Sequence, residues 1–565
     1  LNKGLNKAKN NIMKSITFPK ILLGLTTLLI AFTAKSQNND SLIKDNQIDV
    51  IKNFKPVLSD AIKIPVNPNP ETPTFVKPDF TYQIPTQTYT AQPTLYTIKP
   101  LSLGTMLLPK LKGNYIKAGF GNYFMPIGEV YLNTVRNKDY QAGIFFKHLS
   151  GNGDQNYNNF SNNTIHGYAN KFSSKGTIGT EWYYHRNVVN LYGSPNDVIK
   201  LANDPKLAYN LIDGKTNYQN HAKDSKDLAY KIEANYYHFS RENAFKENDF
   251  HAKARIAQLN ANIPFELQTG FRLNNNSLTQ ADGSSNNYQR IFFDLNPQLF
   301  MIGPDFYLQG GFNSTISSDS AGGKFHFFPK AEGGYSIVPK KLIVYAGLTG
   351  GLAPNTFRTI NGLNPFVTEL GLKNTIHKIE IYGGIKGEIG PQTSFYLNSS
   401  STSIENLVTF ATRAKDASQV LIYDGGNAKR TSLAVGLQHQ INDQLRVGFN
   451  TQFHAYSTSQ IAKAFSLPTL ESKLNIGYNI GDKFLVKADV FYWGERAGAL
   501  IDVNENITSQ KLDPFVDLNL GIDYRYSKQL SAFIQVNNIA NGRYNRFVNY
   551  PVYGIIFMGG FTFTF

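Results

Sequence analysis

Gly554-Ile555-Ile556-Phe557-Met558-Gly559-Gly560-Phe561-Thr562-Phe563-Thr564-Phe565 closes the sequence. In an extended strand, successive side chains point to opposite faces. Tyr553, Ile555, Phe557, Phe561, Phe563 and Phe565 then form one apolar face, and Gly554, Gly560, Thr562 and Thr564 lie on the other. A strand with lipid on one side and a polar lumen on the other carries this alternation. The reading predicts an all-β protein, a transmembrane antiparallel β-barrel.

Upstream of that strand the same alternation recurs. From about Lys112 onward the pattern is strand, turn, strand, beginning with Tyr115 to Phe120 and returning at Val130 to Val135. Short turns fall at Asn137-Lys138-Asp139, Gly303-Pro304-Asp305, Pro339-Lys340, Asn442-Asp443, Gly481-Asp482-Lys483 and Ser527-Lys528-Gln529. Longer polar stretches lie at 151–163, 189–225, 354–373, 412–418, 456–467 and 501–510. Short turns alternating with long loops place the turns in the periplasm and the loops outside the cell. Both termini on the periplasmic side require an even strand number, and the count is about 20, within about 16–22. The hardest region to divide is 164–260. Long strands such as Lys429 to Ile441 imply walls that project past the lipid. Trp182, Tyr183, Tyr184, Phe491, Tyr492 and Trp493 are candidates for interfacial aromatic girdles, with packing in the lumen or in loops as the competing role.

Residues 37–111 read differently. Nine prolines occur between Pro56 and Pro100. Proline lacks a backbone donor and does not sit inside a sheet, so this is an extended periplasmic arm, with Ile48 to Ile64 as its one short helical candidate. Residues 1–36 have the layout of a secretory signal peptide. Lys14 and Lys20 precede an apolar run from Ile21 to Phe32, and Ala34-Lys35-Ser36 before Gln37 is the cleavage site, with Met13 a candidate start. The apolar run is too short to span a membrane as a helix. The predicted divisions are 1–36, 37–111 and a barrel over 112–565.

Composition narrows the chemistry. There is no cysteine, which removes disulfides, thiolate metal sites and thiol nucleophiles together. Mean hydropathy is −0.30 although 13% of residues are aromatic, as expected where a polar lumen face alternates with an apolar one. Net charge is +15; residues 1–36 contribute six lysines and no acid, so the remainder stays near +10. The charges are dispersed, without the aromatic-interleaved basic patch of a nucleic-acid binder.

The ten histidines are scattered, and none forms the i, i+4 pair of a helical zinc site. His148, His185, His238 and His454 sit in aromatic strand contexts that suit hydrogen bonding in the lumen. No Gly-x-Ser-x-Gly elbow or phosphate-binding glycine loop occurs. Asp213, Asp224, Asp227 and His221 imitate a catalytic group, but a solvated loop is the better reading. Asp502, Asn504 and Glu505 lack the glycine and terminal acid of a calcium loop. No catalytic residue, metal ligand or cofactor is predicted.

Gly560, Phe563 and Phe565 resemble the carboxy-terminal signal by which outer-membrane barrels are recognised for insertion, which implies engagement with the barrel-assembly machinery. The last 150 or so residues resemble the barrel end of TonB-dependent receptors. Leu467-Pro468-Thr469-Leu470-Glu471-Ser472-Lys473-Leu474 is similar to their proline-led descending strand, and Val536-Asn537-Asn538-Ile539-Ala540-Asn541-Gly542-Arg543-Tyr544 to their final hairpin. Asn538-Ile539-Ala540 stands where the family has Asn-Leu-Phe-Asp, and the Gly-x-Glu expected after Tyr423 to Ala428 is absent. The family implies a folded amino-terminal plug, which the proline-rich arm does not provide, and no TonB box is evident.

The expectation is a plug-less, non-enzymatic barrel of the cell outer membrane, a subunit of a multiprotein envelope complex in biogenesis, secretion or surface transport. The competing expectation is a solute transporter or passive pore with a plug borrowed from a partner. Residues 37–104 or the 189–225 loop are the expected lumen fillers, and 189–225 and 354–373 the expected recognition loops.

Overall fold

A computed structural model describes residues 113–565, except 136, 156, 194–204, 223–226, 259–262, 280–283, 320–321, 340 and 370. The signal segment, the proline-rich arm and the helical candidate within it lie outside the described residues.

One antiparallel sheet closes on itself. Each wall strand pairs with its sequence neighbours, and Tyr115–Gly121 pairs with Ile556–Thr564 to seal the cylinder. The wall has 22 strands, against the expected count of about 20. One wall strand that the reading took for loop is Lys206–Asn220, within 164–260. Its outward row reads Asn210, Ile212, Gly214, Thr216, and polar residues on both faces concealed the alternation.

The last strand follows the expected pattern: Phe557, Phe561, Phe563 and Phe565 are exposed on the outer face. Tyr553 and Ile555 precede that strand, and the Tyr553 hydroxyl donates to the Asn158 carbonyl.

The two rims differ. Short connections at 173–175, 303–305, 389–392, 441–444, 481–483 and 526–529 share a rim with both barrel ends, here termed the terminal rim. The other, the loop rim, carries 191–205, 354–374, 458–469, 494–514 and 538–555.

Strand Phe245–Gln258 shows how the exterior is divided. Phe250, Ala252, Ala254 and Ile256 point outward, then Asn248 and Lys246 toward the loop rim; Glu247, Asp249, His251, Lys253 and Arg255 point inward. In Ser285–Ile302 the outward row runs Met301, Leu299, Leu295, Phe293, Ile291, then Gln289 and Asn287. In Thr393–Arg413 it runs Phe395, Leu397, then Ser399, Ser401 and Ser403. An apolar belt therefore adjoins the terminal rim, with a polar exterior above it. Strands Thr393–Arg413 and Gln419–Gln440 have 21 and 22 residues, about twice what a tilted strand needs to cross a bilayer.

The histidines adjust the expectation. His185 accepts or donates with Thr164 at 2.9 Å and His454 with Ser432 at 2.8 Å, both facing the lumen. His148 and His238 instead share the outward rows of Phe146 and Tyr236, bonded to Asn163 and Asn248 in the polar exterior. Among the aromatic candidates, Trp182, Tyr184 and Tyr492 face outward. Tyr183 packs on His166 and His185, Lys473 lies over Phe491, and Trp493 packs on Phe515, all inside.

Close packing of tyrosine over glycine stiffens the inner wall. A Cβ on Gly436 would overlap the Tyr396 ring, whose hydroxyl donates to Asn450 across the neighbouring strand. Gly436→Ala is expected to cost about 1–3 kcal/mol. A lower midpoint in heat-modifiable gel migration would show it, and an unchanged midpoint would contradict the packing argument.

Candidate functional site

The described residues hold one helix, Phe357–Leu363, in the connection between strands Leu342–Ala353 and Thr375–Glu388. Its start is written locally. Thr356 has extended φ/ψ and its side chain accepts from Thr359 N, while Thr359 Oγ1 accepts from Thr356 N at 2.8 Å, a reciprocal capping box. Two further amides of the first turn go to the wall. Phe357 N donates to Glu247 Oε2 at 2.7 Å and Arg358 N to Glu247 Oε1 at 3.2 Å. Glu247 is fully buried and also accepts from the Tyr237 hydroxyl at 2.8 Å. A buried carboxylate is tolerable here because donors surround it.

The same wall grips the rest of the connection. Arg358 Nη1 meets Asp213 Oδ2 at 2.7 Å, with its guanidinium 4.7 Å from the Tyr237 ring centre. The Tyr209 hydroxyl donates to Pro365 O at 2.7 Å, and Arg241 donates to the carbonyls of Val367 and Thr368. Arg290 Nη1 donates to Asn355 O at 2.5 Å and its other terminal nitrogen to Asn374. Phe357 packs among Leu207, Tyr209, Leu211, Tyr237, Phe239 and Phe245.

The connection is also tied to strands Thr393–Arg413 and Gln419–Gln440, five or more positions further round the wall than those just named. Val367–Glu369 pairs in parallel with Gln419 and Val420. Gln419 N donates to Phe366 O at 3.1 Å, Lys373 N donates to the Tyr423 hydroxyl at 3.1 Å, and Arg413 pairs with Glu369. Ile360 is buried with Val367, Phe410, Phe547 and Tyr550. Segment 354–374 therefore bridges two separate parts of the barrel wall across the interior.

The other loop-rim segments lock onto it. Arg496, 2% exposed, donates to the carbonyls of Asn545 and Arg546 at 2.7 Å each, and lies over Trp493 and Phe515. Burial, then the charge of Arg546, pushes its pKa down to about 10, so it stays protonated near neutrality. Tyr550 donates to Ala417 O at 2.5 Å and Thr412 Oγ1 to Val548 O at 3.0 Å. The Tyr192 hydroxyl reaches Pro551 O at 3.1 Å, and burial pushes it up to about 12. Asp424 accepts from Ser459 N and Gln460 N, pinning the 458–469 loop.

The sequence-derived candidates fare unevenly. The 354–373 loop, expected at the surface for recognition, is folded inward instead, because its apolar residues and main chain find buried partners on the wall. The 189–225 loop resolves largely into strand. Asp213 holds Arg358, whereas His221 bonds Thr177 near the other rim, so the imitation catalytic group is not assembled. Asp224 lies outside the described residues. Asp502 spends its carboxylate on the amides of Asn504 and Asn506, and Glu505 pairs with Arg413 and Lys415. Gly560 pairs with Gly119 and Phe533, Phe563 pairs with Ile116 and Leu530, and Phe565 N donates to Asn114 O at 3.0 Å.

Glu247, Arg241, Arg290 and Arg358 escaped the sequence reading. The Thr356-x-x-Thr359 spacing signals a helix start, but nothing in one sequence joins it to a carboxylate 110 positions away.

No protein-family model matches the sequence, and no curated protein matches it. Solved structures do, in fold. The Fiu ferric-catecholate import receptor of E. coli K12 superposes with TM-score 0.62 at 11% identity, over 81% of this chain and 82% of Fiu. The FrpB iron transporter of Neisseria meningitidis gives 0.64 at 10%, over 81% and 82%. The pyoverdine outer membrane receptor FpvA of Pseudomonas aeruginosa gives 0.61 at 12%, over 81% and 79%. These neighbours are TonB-dependent receptors with a 22-strand barrel.

Proposed function

We propose that this chain is a non-enzymatic barrel of the outer membrane, related to TonB-dependent receptors, that serves as a subunit of a multiprotein envelope complex rather than as an open pore. The bridge formed by 354–374 carries the reading. A passive channel gains nothing from a segment fastened to one wall region by the buried Glu247 and to another by strand pairing with Gln419 and Val420. The outward apolar belt supports insertion in lipid, with the terminal rim toward the periplasm and the loop rim outside. In this reading the 37–111 arm supplies no folded plug and docks partners by extended-segment binding.

A second reading, transport, is favoured by the likeness to the Fiu import receptor and the FrpB iron transporter. It requires 354–374 to swing aside.

The two separate in one preparation. A subunit co-purifies at fixed stoichiometry with other envelope proteins in mild detergent, and deletion of 37–104 releases them. A chain that purifies alone, conducts steadily in a planar bilayer and restores solute uptake would replace the subunit reading with the transport one.

Gly560, Phe563 and Phe565 would serve as the insertion signal. Phe565→Ala is expected to lower the level of folded barrel in outer-membrane fractions several-fold, with the unfolded form accumulating in the periplasm. Equal folded levels would remove the signal from this end of the chain.

A further inference from the structure

Strand Gly322–Val338 pairs from Gly322 to Tyr335 with the whole of Phe306–Asp319. With its other neighbour, Leu342–Ala353, pairing runs only from Val338 to Ala331. Residues 322–330 on one strand and 349–353 on the other have no ladder between them. The cause is local. Ser336 N donates to Asp305 O on the Phe306–Asp319 side. With continuous register, even-numbered residues direct their main-chain groups to that side, and odd-numbered residues to the opposite side. Pro329 falls on the odd side, where its missing N–H ends the ladder. On the facing strand, Gly350 lies opposite a bulge at Lys378 of strand Thr375–Glu388, and its carbonyl is taken at 2.8 Å by the side chain of Asn313.

Beyond Pro329, the N–H and C=O groups of Phe325 and Phe327 point to the bare side. Their side chains stand outward, 66% and 56% exposed, with the Phe312 ring 5.2 Å from that of Phe327. The register sets Phe271, Phe293, Ile316 and Phe325 in one outward apolar row, so the bare edge begins within the belt.

That combination has conflicting requirements. Lipid suits the rings but leaves main-chain groups unpaired, which a hydrocarbon surrounding does not tolerate. Water suits the main chain but wets two phenylalanines. An extended strand satisfies both. We propose that the edge Gly323 to Pro329 is a docking site for an extended segment of a partner protein, added antiparallel to this strand. The segment has apolar side chains at alternate positions beside Phe325 and Phe327, and acidic or polar ones between them, toward the exposed Lys324. The inference deepens the subunit reading and rests on it.

Residue-resolved amide exchange tests it, on the barrel purified alone and on the assembly isolated from envelopes in mild detergent. Phe325 and Phe327 amides should exchange rapidly in the isolated barrel, while those of Lys324 and His326 stay slow. In the assembly all four should be slow. Phe327→Pro removes an N–H that the wall does not use. It should preserve heat-modifiable migration yet restore fast exchange at Phe325 and release the partner. A photo-crosslinker at Phe325 should join a different protein within an extended segment. Slow exchange in the isolated barrel would mean the edge is covered by this chain itself, and a crosslinked product of two barrels would mean a second copy; either overturns the proposal. An intact assembly with fast-exchanging Phe325 and Phe327 would overturn the edge and leave the subunit reading standing. Failure of any assembly to co-purify would overturn both.

Discussion

Replacing residues 357–372 with a short glycine–serine link raises the single-channel conductance of the reconstituted barrel by about tenfold or more. A 22-strand cylinder is wide enough for an aqueous channel when its interior is empty. In this chain 354–374 bridges two parts of the wall, through Arg358 and Asp213 on one side and Gln419 and Val420 on the other. The shortened barrel should keep its heat-modifiable migration, because wall pairing does not depend on the bridge. Unchanged low conductance in a folded barrel would show that another part of the chain blocks the lumen.

The same bridge should be released by a single wall substitution. Glu247→Ala removes the acceptor of three hydrogen bonds, from Phe357 N, Arg358 N and the Tyr237 hydroxyl, and leaves those donors buried without partners. Bonds to a charged group contribute about 1.5–3 kcal/mol each, and they are not additive. A net local loss of about 3 kcal/mol makes opening of the segment on the order of 100-fold more frequent. Limited proteolysis within 357–373 measures it directly, and Glu247→Gln, which keeps one acceptor oxygen, should fall between wild type and Glu247→Ala. Equal cleavage rates for all three would mean the helix is held by its apolar face alone. Agreement between cleavage and conductance in Glu247→Ala would identify the bridge as the lumen barrier without any deletion.

What was legible in the sequence follows from how far apart the relevant residues lie. Period-two alternation is local, so the barrel, its apolar exterior and the face of Phe557, Phe561, Phe563 and Phe565 were readable within single strands. Strand Lys206–Asn220 escaped because Asn210, Gly214 and Thr216 stand where apolar outward residues were sought. Gly214 stands in the belt beside the larger rings of Trp182 and Tyr236, whereas Asn210 lies in the polar exterior near the loop rim, where outward residues face no belt. His148 and His238 were assigned to the lumen for the same reason.

Alternation and turn chemistry, each confined to a few neighbouring residues, determined that this chain closes an antiparallel wall with a greasy outside and a hydrophilic inside. Which loop enters that interior, and which stretch of wall is left without a neighbour, were decided only by the tertiary structure. Glu247 reaches a helix 110 residues later, and Pro329 ends a ladder only because the register turns its ring toward Leu342–Ala353. Such pairings depend on the curvature and stagger of the whole cylinder, which no local stretch of sequence contains.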